Sequence, residues 1–78
     1  MANVKIYTTP SCVYCKMTKE FFGQNSVQYE EKNVAQDTEA RNEMIQKSGQ
    51  MGVPVIEVDG KIIIGFDEPK LRESLGIK

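Results

Sequence analysis

The sequence predicts an α/β fold in which a four-stranded mixed sheet is flanked by helices, in the order β-α-β-α-β-β-α. Strand-like and helix-like patterns of apolar residues alternate along the chain, and a dipeptide typical of hairpin turns separates the last two strand patterns. A strand, a helix and a strand in succession require a right-handed crossover and a parallel pair, whereas the hairpin adds an antiparallel pair. With 78 residues and no repeat or linker, the chain is predicted to form one domain, residues 1–78.

The first strand and the first helix follow from a change in the spacing of apolar residues. Residues 3–8 predict a short strand, since Val4 and Ile6 face one side of it and their neighbours face the other. Ser11 is the expected N-cap of a helix over residues 12–25. Three apolar residues at intervals of four form the stripe of this helix that we expect to face the core: Val13, Met17 and Phe21.

The middle of the chain predicts an edge strand and a second helix. Residues 27–33 are more polar than the other strand patterns, which favours a place at the edge of the sheet. Asp37 is the expected N-cap of a helix that runs through Ser48 and is closed by Gly49. The residues expected to face inward are Ala40 and Met44, with Ile45 at the margin.

The last third of the chain predicts a hairpin and a short helix. Asp59 and Gly60 form the dipeptide favoured in a type I′ turn between two strands, and the run Ile62–Ile64 is typical of a buried strand. Asp67 is the expected N-cap of the last helix, with Pro69 in its first turn. The residues of this helix expected to face the core are Leu71 and Leu75.

Composition and charge exclude several classes of partner. Ten Lys and Arg nearly balance eleven Asp and Glu, so the net charge of −1 gives no reason to expect a nucleic acid or an anionic membrane as partner. No apolar run approaches the roughly 20 residues that span a bilayer, and the N-terminus carries no secretory signal pattern. We therefore expect a cytoplasmic monomer in a compartment that keeps thiols reduced.

Both cysteines of the chain lie in the stretch CVYC, residues 12–15. A structural zinc site needs four ligands and is usually built from Cys and His, but this chain has two Cys and no His. Two chains that share Cys12 around a metal ion or an iron–sulfur cluster are the alternative function, that of a binding module. An inert buried pair is disfavoured by the polar neighbours Ser11 and Lys16.

The position of the pair favours redox chemistry. A Cys-x-x-Cys sequence that follows a strand and opens a helix is typical of a thioredoxin-like redox site. Cys12 at the helix start meets unpaired backbone N–H groups and the positive end of the helix dipole, which favour a thiolate. Cys15 is nearly one turn further on, within disulfide reach, and is expected to be more buried. Because thiol–disulfide exchange needs no His general base, the sequence predicts a working redox pair.

Three neighbours of the cysteines each have two interpretations. The ring of Tyr14 either contacts a substrate or is merely exposed at the surface. Lys16 and Lys19 either raise the local positive potential or belong to a solvated helix face. Because exposed charges are well screened, the solvated face is the favoured interpretation for both lysines.

Three motifs carry a resemblance to a known family. The stretches YTTPSCVYCK, GVPVIEVDG and IIIGFDEPKL, in this order and spacing, resemble the motifs of glutaredoxins, which are small members of the thioredoxin-fold superfamily. The resemblance covers essentially the whole chain, and the CVYC box is close to the Cys-Pro-Tyr-Cys box of dithiol glutaredoxins. It implies a thioredoxin fold and an enzyme, a thiol–disulfide oxidoreductase that reduces protein or small-molecule disulfides.

The resemblance also implies roles for four residues near the redox centre. Cys12 would be the nucleophile and Cys15 the resolving thiol. Val53 and Pro54 match a family segment in which the proline is cis and faces the cysteines. A cis bond there would let the Val53 backbone pair with an extended thiol substrate, in the manner of strand addition.

A second group of residues matches the pocket in which the family binds glutathione. Tyr14, the Val53 backbone, Gly65 and Asp67 match that pocket, but Ile64 stands where glutaredoxins have glycine, and Phe66 adds an apolar face beside it. Backbone N–H groups at a Gly-Gly turn and helix start make a cradle for a carboxylate, and the Ile64 side chain is expected to narrow it.

The departure from the Gly-Gly pattern at Ile64 and Gly65 also bears on which electron donor and which substrates we expect. The Gly65-Phe66 pair resembles NrdH-type redoxins, which accept electrons from thioredoxin reductase and reduce ribonucleotide reductase. An exposed Phe66 near Cys12 would suit a protein partner, because aromatic anchors dominate protein interfaces. We expect no bound cofactor, and thioredoxin reductase is favoured over glutathione as donor, with glutathione as the alternative reducing co-substrate. Disulfide-containing proteins, ribonucleotide reductase among them, are the expected substrates.

Overall fold

Seven elements follow one another in the predicted order in the computed structural model, which describes residues 3–50 and 52–77. The strands are β1 (Val4–Thr8), β2 (Glu30–Asn33), β3 (Val55–Val58) and β4 (Lys61–Ile64). The helices are α1 (Val13–Gln24), α2 (Thr38–Ser48) and α3 (Glu68–Leu75). The predicted fold class, an α/β fold with a four-stranded mixed sheet, is confirmed.

The sheet has the strand order β2-β1-β3-β4. β1 pairs with β2 in parallel, with Ile6 opposite Glu31, and pairs with β3 antiparallel, with Ile6 opposite Ile56. β3 pairs with β4 antiparallel, as the hairpin predicts. β2 lies at an edge, which confirms that prediction. Because β1 is central, its C-terminal end and the loop that follows it lie in the middle of one end of the sheet.

The helices cover both faces of the sheet. Ile6 and Ile56 pack with residues of α1 and α3 in one core cluster. Tyr7, on the opposite face of β1, packs in a second cluster with Ala40 and Met44 of α2, and all three are buried. Side chains of a strand alternate between faces, so β1 contributes to both clusters.

Turns and caps follow the predicted chemistry. Asp37 and Asp67 accept hydrogen bonds at the starts of α2 and α3, from the backbone N–H groups of Ala40 (3.0 Å) and Lys70 (3.3 Å) respectively. Asp59 and Gly60 both have positive φ, 50° and 88°, as a type I′ turn requires. The predicted caps at these positions are confirmed.

Three predictions about α1 are wrong. Val13 and Met17 are exposed, at 69% and 41%, whereas the buried residues of α1 include Cys15 and Thr18. The N-cap is Cys12 rather than Ser11. The buried face of α1 accepts Thr18 because its hydroxyl donates to the Tyr14 carbonyl at 2.8 Å, so burying it leaves no unpaired polar group.

The strand ends also differ from expectation. β2 begins at Glu30 rather than at residue 27, and β3 begins at Val55, after the proline. β4 is an edge strand, so the isoleucine run is only partly buried: Ile63 lies in the core and Ile64 is 51% exposed. None of the helices within residues 3–50 and 52–77 is long and apolar enough to cross a membrane.

Candidate active site

Cys12 stands at the start of α1, where the chain turns from the β1 loop into the helix. Its backbone is extended, with φ −88° and ψ 113°, and its side chain takes the N-cap role. The Sγ atom accepts a hydrogen bond from the backbone N–H of Cys15 at 3.1 Å. The thiol is partly accessible to solvent. Helix geometry therefore offers the sulfur one of the N–H groups that have no partner within the helix.

Cys15 differs sharply from Cys12 in its environment. Its exposed fraction is 1%. Burial and a hydrogen bond with the Cys12 side chain raise the pKa of the Cys15 thiol to about 12, against opposing effects of the Thr9 backbone and Lys19. The two thiols are in contact, as the resemblance implies for a disulfide-forming pair. One sulfur thus lies at the surface beside a donor, and the other is a buried, protonated thiol behind it.

The two lysines near the cysteines do not share one environment. Lys16 is exposed, as the favoured interpretation expects. Lys19 is partly buried and its Nζ forms an ion pair with Glu31 Oε2 of β2 at 3.0 Å, so the solvated face does not describe it fully. Thr8, buried at the end of β1, donates from Oγ1 to the same carboxylate oxygen at 2.8 Å.

This carboxylate is held firmly in its charged form. The hydrogen bonds from Lys19 and then from Thr8 lower the pKa of Glu31, and the same ion pair raises the pKa of Lys19. Sequence reasoning missed both residues: Thr8 lies in the YTTPSCVYCK motif but was given no role, and Glu31 lies in no motif. The available signal was the parallel pairing of β1 with β2, which brings residues of the two strands to the same end of the sheet.

The Val53–Pro54 peptide bond is cis, as expected. Pro54 is buried and Val53 is partly buried. The Pro54 carbonyl accepts a hydrogen bond from the Gly65 N–H at 2.8 Å, which joins the segment before β3 to the segment after β4. Contact of the proline ring with the cysteines, and pairing of the Val53 backbone with substrate, stay predictions.

The residues matched to the glutathione pocket, and Phe66 beside them, differ in their contacts and in their exposure to solvent. Gly65 has φ +78°, and its N–H is already used by Pro54. Phe66 is partly buried, with its ring edge-to-face against Phe21 at 5.9 Å between centroids, so it is not the exposed anchor that the sequence suggested. Tyr14 is the exposed aromatic beside the cysteines, at 61%.

Two further features bear on ligand binding. The Asp67 carboxylate caps α3, and Ile64 projects from the end of β4 with half its surface exposed. Within the described part of the chain, no group of three or more Cys, His, Asp or Glu side chains is placed to hold a metal ion. The alternative function, in which two chains share Cys12 around a metal ion or a cluster, stays a prediction.

Comparison with known proteins identifies the family that this chain resembles in sequence and in structure. The glutaredoxin family model matches residues 4–63. A glutaredoxin-like 8.6 kDa protein from the rubredoxin operon of Clostridium pasteurianum is 46% identical over 72 residues, which cover 92% of this chain and 96% of that protein. Glutaredoxin 3 of Escherichia coli K12 is 38% identical over 76 residues, with 97% and 92% covered. The crystal structure of a mutant thioredoxin-like protein matches with a TM-score of 0.93 and 35% identity over all of both chains.

Proposed function

Because the chain belongs to the glutaredoxin family, whose function is thiol redox chemistry, we propose that it reduces disulfides by a dithiol mechanism. Cys12 is the nucleophile in this proposal and Cys15 is the resolving thiol. The observation that carries the proposal is the asymmetry of the pair. Cys12 Sγ is accessible and accepts a backbone N–H, whereas the Cys15 thiol is buried with a raised pKa.

The proposed reaction has two exchange steps. The Cys12 thiolate attacks one sulfur of a substrate disulfide, which forms a mixed disulfide with Cys12 and releases the other sulfur as a thiolate. Cys15 then loses its proton and attacks the Cys12 sulfur, which forms the Cys12–Cys15 disulfide and releases the second substrate thiolate. Both leaving thiolates take up protons from solvent or from Cys15. The substrate gains two electrons and the dithiol loses two.

We also propose a flavoenzyme of the thioredoxin-reductase type, rather than glutathione, as the favoured electron donor. Glutathione is a small anionic tripeptide, so its capture depends on a few free and well-placed donors. The Gly65 N–H already serves the Pro54 carbonyl, and Ile64 places a side chain where the family has none. Both observations support weaker binding of a carboxylate at this turn. Protein disulfides, including that of a ribonucleotide reductase, are the substrates that follow from this preference.

Stoichiometry with a chromogenic disulfide, 5,5′-dithiobis(2-nitrobenzoate), tests the dithiol mechanism. A dithiol mechanism releases both thionitrobenzoate groups of one reagent molecule and leaves a protein lighter by two hydrogen atoms, as measured by intact mass. A monothiol mechanism releases one group and leaves a stable adduct on Cys12. Accumulation of the adduct in the wild-type protein would overturn the proposal.

A further inference from the structure

A chain of polar contacts runs from the core to the helix that carries the cysteines. Thr8 Oγ1 donates to Glu31 Oε2 at 2.8 Å, and Lys19 Nζ donates to the same oxygen at 3.0 Å. Thr8 is 2% exposed, so one end of the chain is fixed in the packed interior. The two contacts together join three elements: the first links β1 to β2, and the second links α1 to β2.

Lys19 brings this chain to the buried cysteine. Lys19 follows Cys15 by four residues in α1, and residues at this spacing lie on the same helix face. The next residue after Thr8 acts on Cys15 as well, since the Thr9 backbone is one of the groups that lower the pKa of this thiol. Cys15 and Lys19 therefore share one face of α1, and the loop after β1 also acts on the Cys15 thiol.

The resolving step requires ionisation of the Cys15 thiol, which burial of this side chain opposes. Cys15 must become a thiolate in order to attack the mixed disulfide, yet burial is the largest cause of its raised pKa. Lys19 acts in the opposite direction and lowers the pKa of this thiol. A free lysine side chain samples many rotamers, whereas one held by a carboxylate keeps its charge in place.

We propose that Glu31 and Thr8 hold the Lys19 ammonium beside Cys15 so that it favours the Cys15 thiolate in the resolving step. This inference rests on the dithiol function proposed above. Lys19 acts electrostatically and does not touch the substrate, and Glu31 and Thr8 are positioning residues.

Few groups act on the pKa of Cys15 or on that of Lys19. Cys12 and Lys19 of α1 act on the Cys15 thiol, together with the Thr9 backbone that precedes the helix. Glu31 of β2, Tyr29 just before β2, and Cys15 itself act on Lys19. The negative charge of Glu31 partly cancels the positive charge of Lys19. The expected net effect of Lys19 on the ionisation of Cys15 is therefore moderate.

The test follows the two phases of thionitrobenzoate release after rapid mixing of reduced protein with the chromogenic disulfide. The first phase reports attack by Cys12 and the second reports resolution by Cys15. In Lys19→Gln we expect the second phase to be roughly three- to tenfold slower near neutral pH, with its pH profile displaced to higher pH. The first phase should be unchanged, and Lys19→Arg should restore the wild-type profile.

Two comparisons separate this inference from general effects. Lys16→Gln removes the same charge from an exposed position of the same helix and should leave the second phase unchanged. In a Glu31→Ala background, Lys19→Gln should have less than half its normal effect, because release of the ammonium from its position near Cys15 outweighs removal of the opposing Glu31 charge. Equal effects of Lys19→Gln in both backgrounds would remove Glu31 from the proposal.

The outcomes distinguish this inference from the proposed function. If wild-type protein shows two phases and Lys19→Gln resolves at the wild-type rate at every pH, the role of Lys19 is wrong and the dithiol mechanism stands. If wild-type protein shows no second phase, the dithiol mechanism itself is wrong, and the role of Lys19 falls with it.

Discussion

The backbone N–H of Cys15 donates a hydrogen bond to the Cys12 Sγ across 3.1 Å. This bond makes one cysteine the N-cap of α1 while the other, three residues later, enters the buried face of the same helix. The N-cap side chain lies outside the helix and remains accessible, whereas Cys15 lies on the buried face of the helix and is only 1% exposed. The asymmetry that the chemistry needs is thus a consequence of where the helix begins.

Replacement of each cysteine should have a different effect. We expect Cys12→Ser to reduce disulfide reduction to the background rate, because the only thiol left is buried and protonated. Cys15→Ser should still attack a disulfide but stop as a mixed disulfide on Cys12. Intact mass after reaction with oxidised glutathione measures both outcomes. A glutathione adduct on Cys15 in the Cys12→Ser variant, formed as fast as the adduct in Cys15→Ser, would reverse the assigned roles.

Alkylation should distinguish the two thiols in the wild-type protein. Cys15 has a pKa of about 12 and is 1% exposed, so at neutral pH it presents almost no thiolate to a reagent. We expect iodoacetamide to label Cys12 first and Cys15 at least roughly a hundredfold more slowly. Peptide mapping at successive times measures the ratio, and labelling in denaturant is the control for intrinsic reactivity. Labelling of Cys15 before Cys12 would contradict this prediction.

The cluster around Glu43 should make stability depend on acid pH. The Glu43 carboxylate accepts hydrogen bonds from Tyr7 Oη at 2.5 Å, and from Lys47 and Lys5 at 3.2 Å each. These bonds lower the pKa of Glu43 from 4.5 to about 2, with the Tyr7 bond the largest cause. A carboxyl group whose pKa is lower in the folded state stabilises the fold above its unfolded pKa. That contribution is lost as the pH falls from 4.5 to about 2.

Glu43→Gln measures this contribution. Since the side chain is 38% exposed, solvent screening limits the expected loss in the free energy of unfolding to roughly 1 kcal/mol at neutral pH. Urea unfolding of wild-type and variant should show this difference at neutral pH and almost none near pH 2. Glu20→Gln, at an exposed carboxylate on α1, is the matched control and should change stability little at either pH. A difference that persists near pH 2 would assign the effect to packing rather than to charge.

The sequence was sufficient for the architecture, because its turn and cap residues act locally. Asp59 and Gly60 determine the hairpin through their own backbone angles, and Asp37 and Asp67 cap helices through contacts three residues away. Such features need no knowledge of the tertiary fold. The cis bond at Pro54 was different, since only resemblance to a family predicted it.

The face of α1 could not be read from hydrophobicity alone. The predicted stripe included Val13 and Met17, but the helix instead buries Cys15 and Thr18. A threonine can be buried when its hydroxyl finds a carbonyl one turn back, and a cysteine packs as a small apolar residue. The ion pair of Lys19 was missed for a related reason, because its partner Glu31 is distant in sequence and approaches only through strand pairing.

The electron donor can be identified by supplying the thioredoxin reductase system and the glutathione system to the oxidised protein in separate assays. We expect oxidised protein to be reduced rapidly by NADPH and a thioredoxin reductase, and at least tenfold more slowly by glutathione with glutathione reductase. The physical reason is that a lost hydrogen bond to the carboxylate of glutathione costs roughly 1.5 to 3 kcal/mol, or about ten- to a hundredfold in affinity. NADPH consumption measures both rates. Rapid turnover with glutathione and none with thioredoxin reductase would refute the preference.

A glycine at position 64 should improve the use of glutathione. Ile64 is half exposed at the end of β4, next to Gly65, where glutaredoxins place a second glycine. Removal of the side chain opens the approach to the backbone of this turn, so we expect Ile64→Gly to raise glutathione-dependent turnover by roughly three- to tenfold. Turnover with thioredoxin reductase should not rise. Ile64→Val keeps the branched side chain and is the matched control. Thermal unfolding monitors the loss of stability in Ile64→Gly, since a glycine within a strand destabilises the fold by roughly 0.5 to 1 kcal/mol. Equal glutathione-dependent rates in Ile64→Gly, Ile64→Val and wild-type protein would show that Ile64 does not obstruct the pocket, and the donor preference would then have to rest on Gly65 alone.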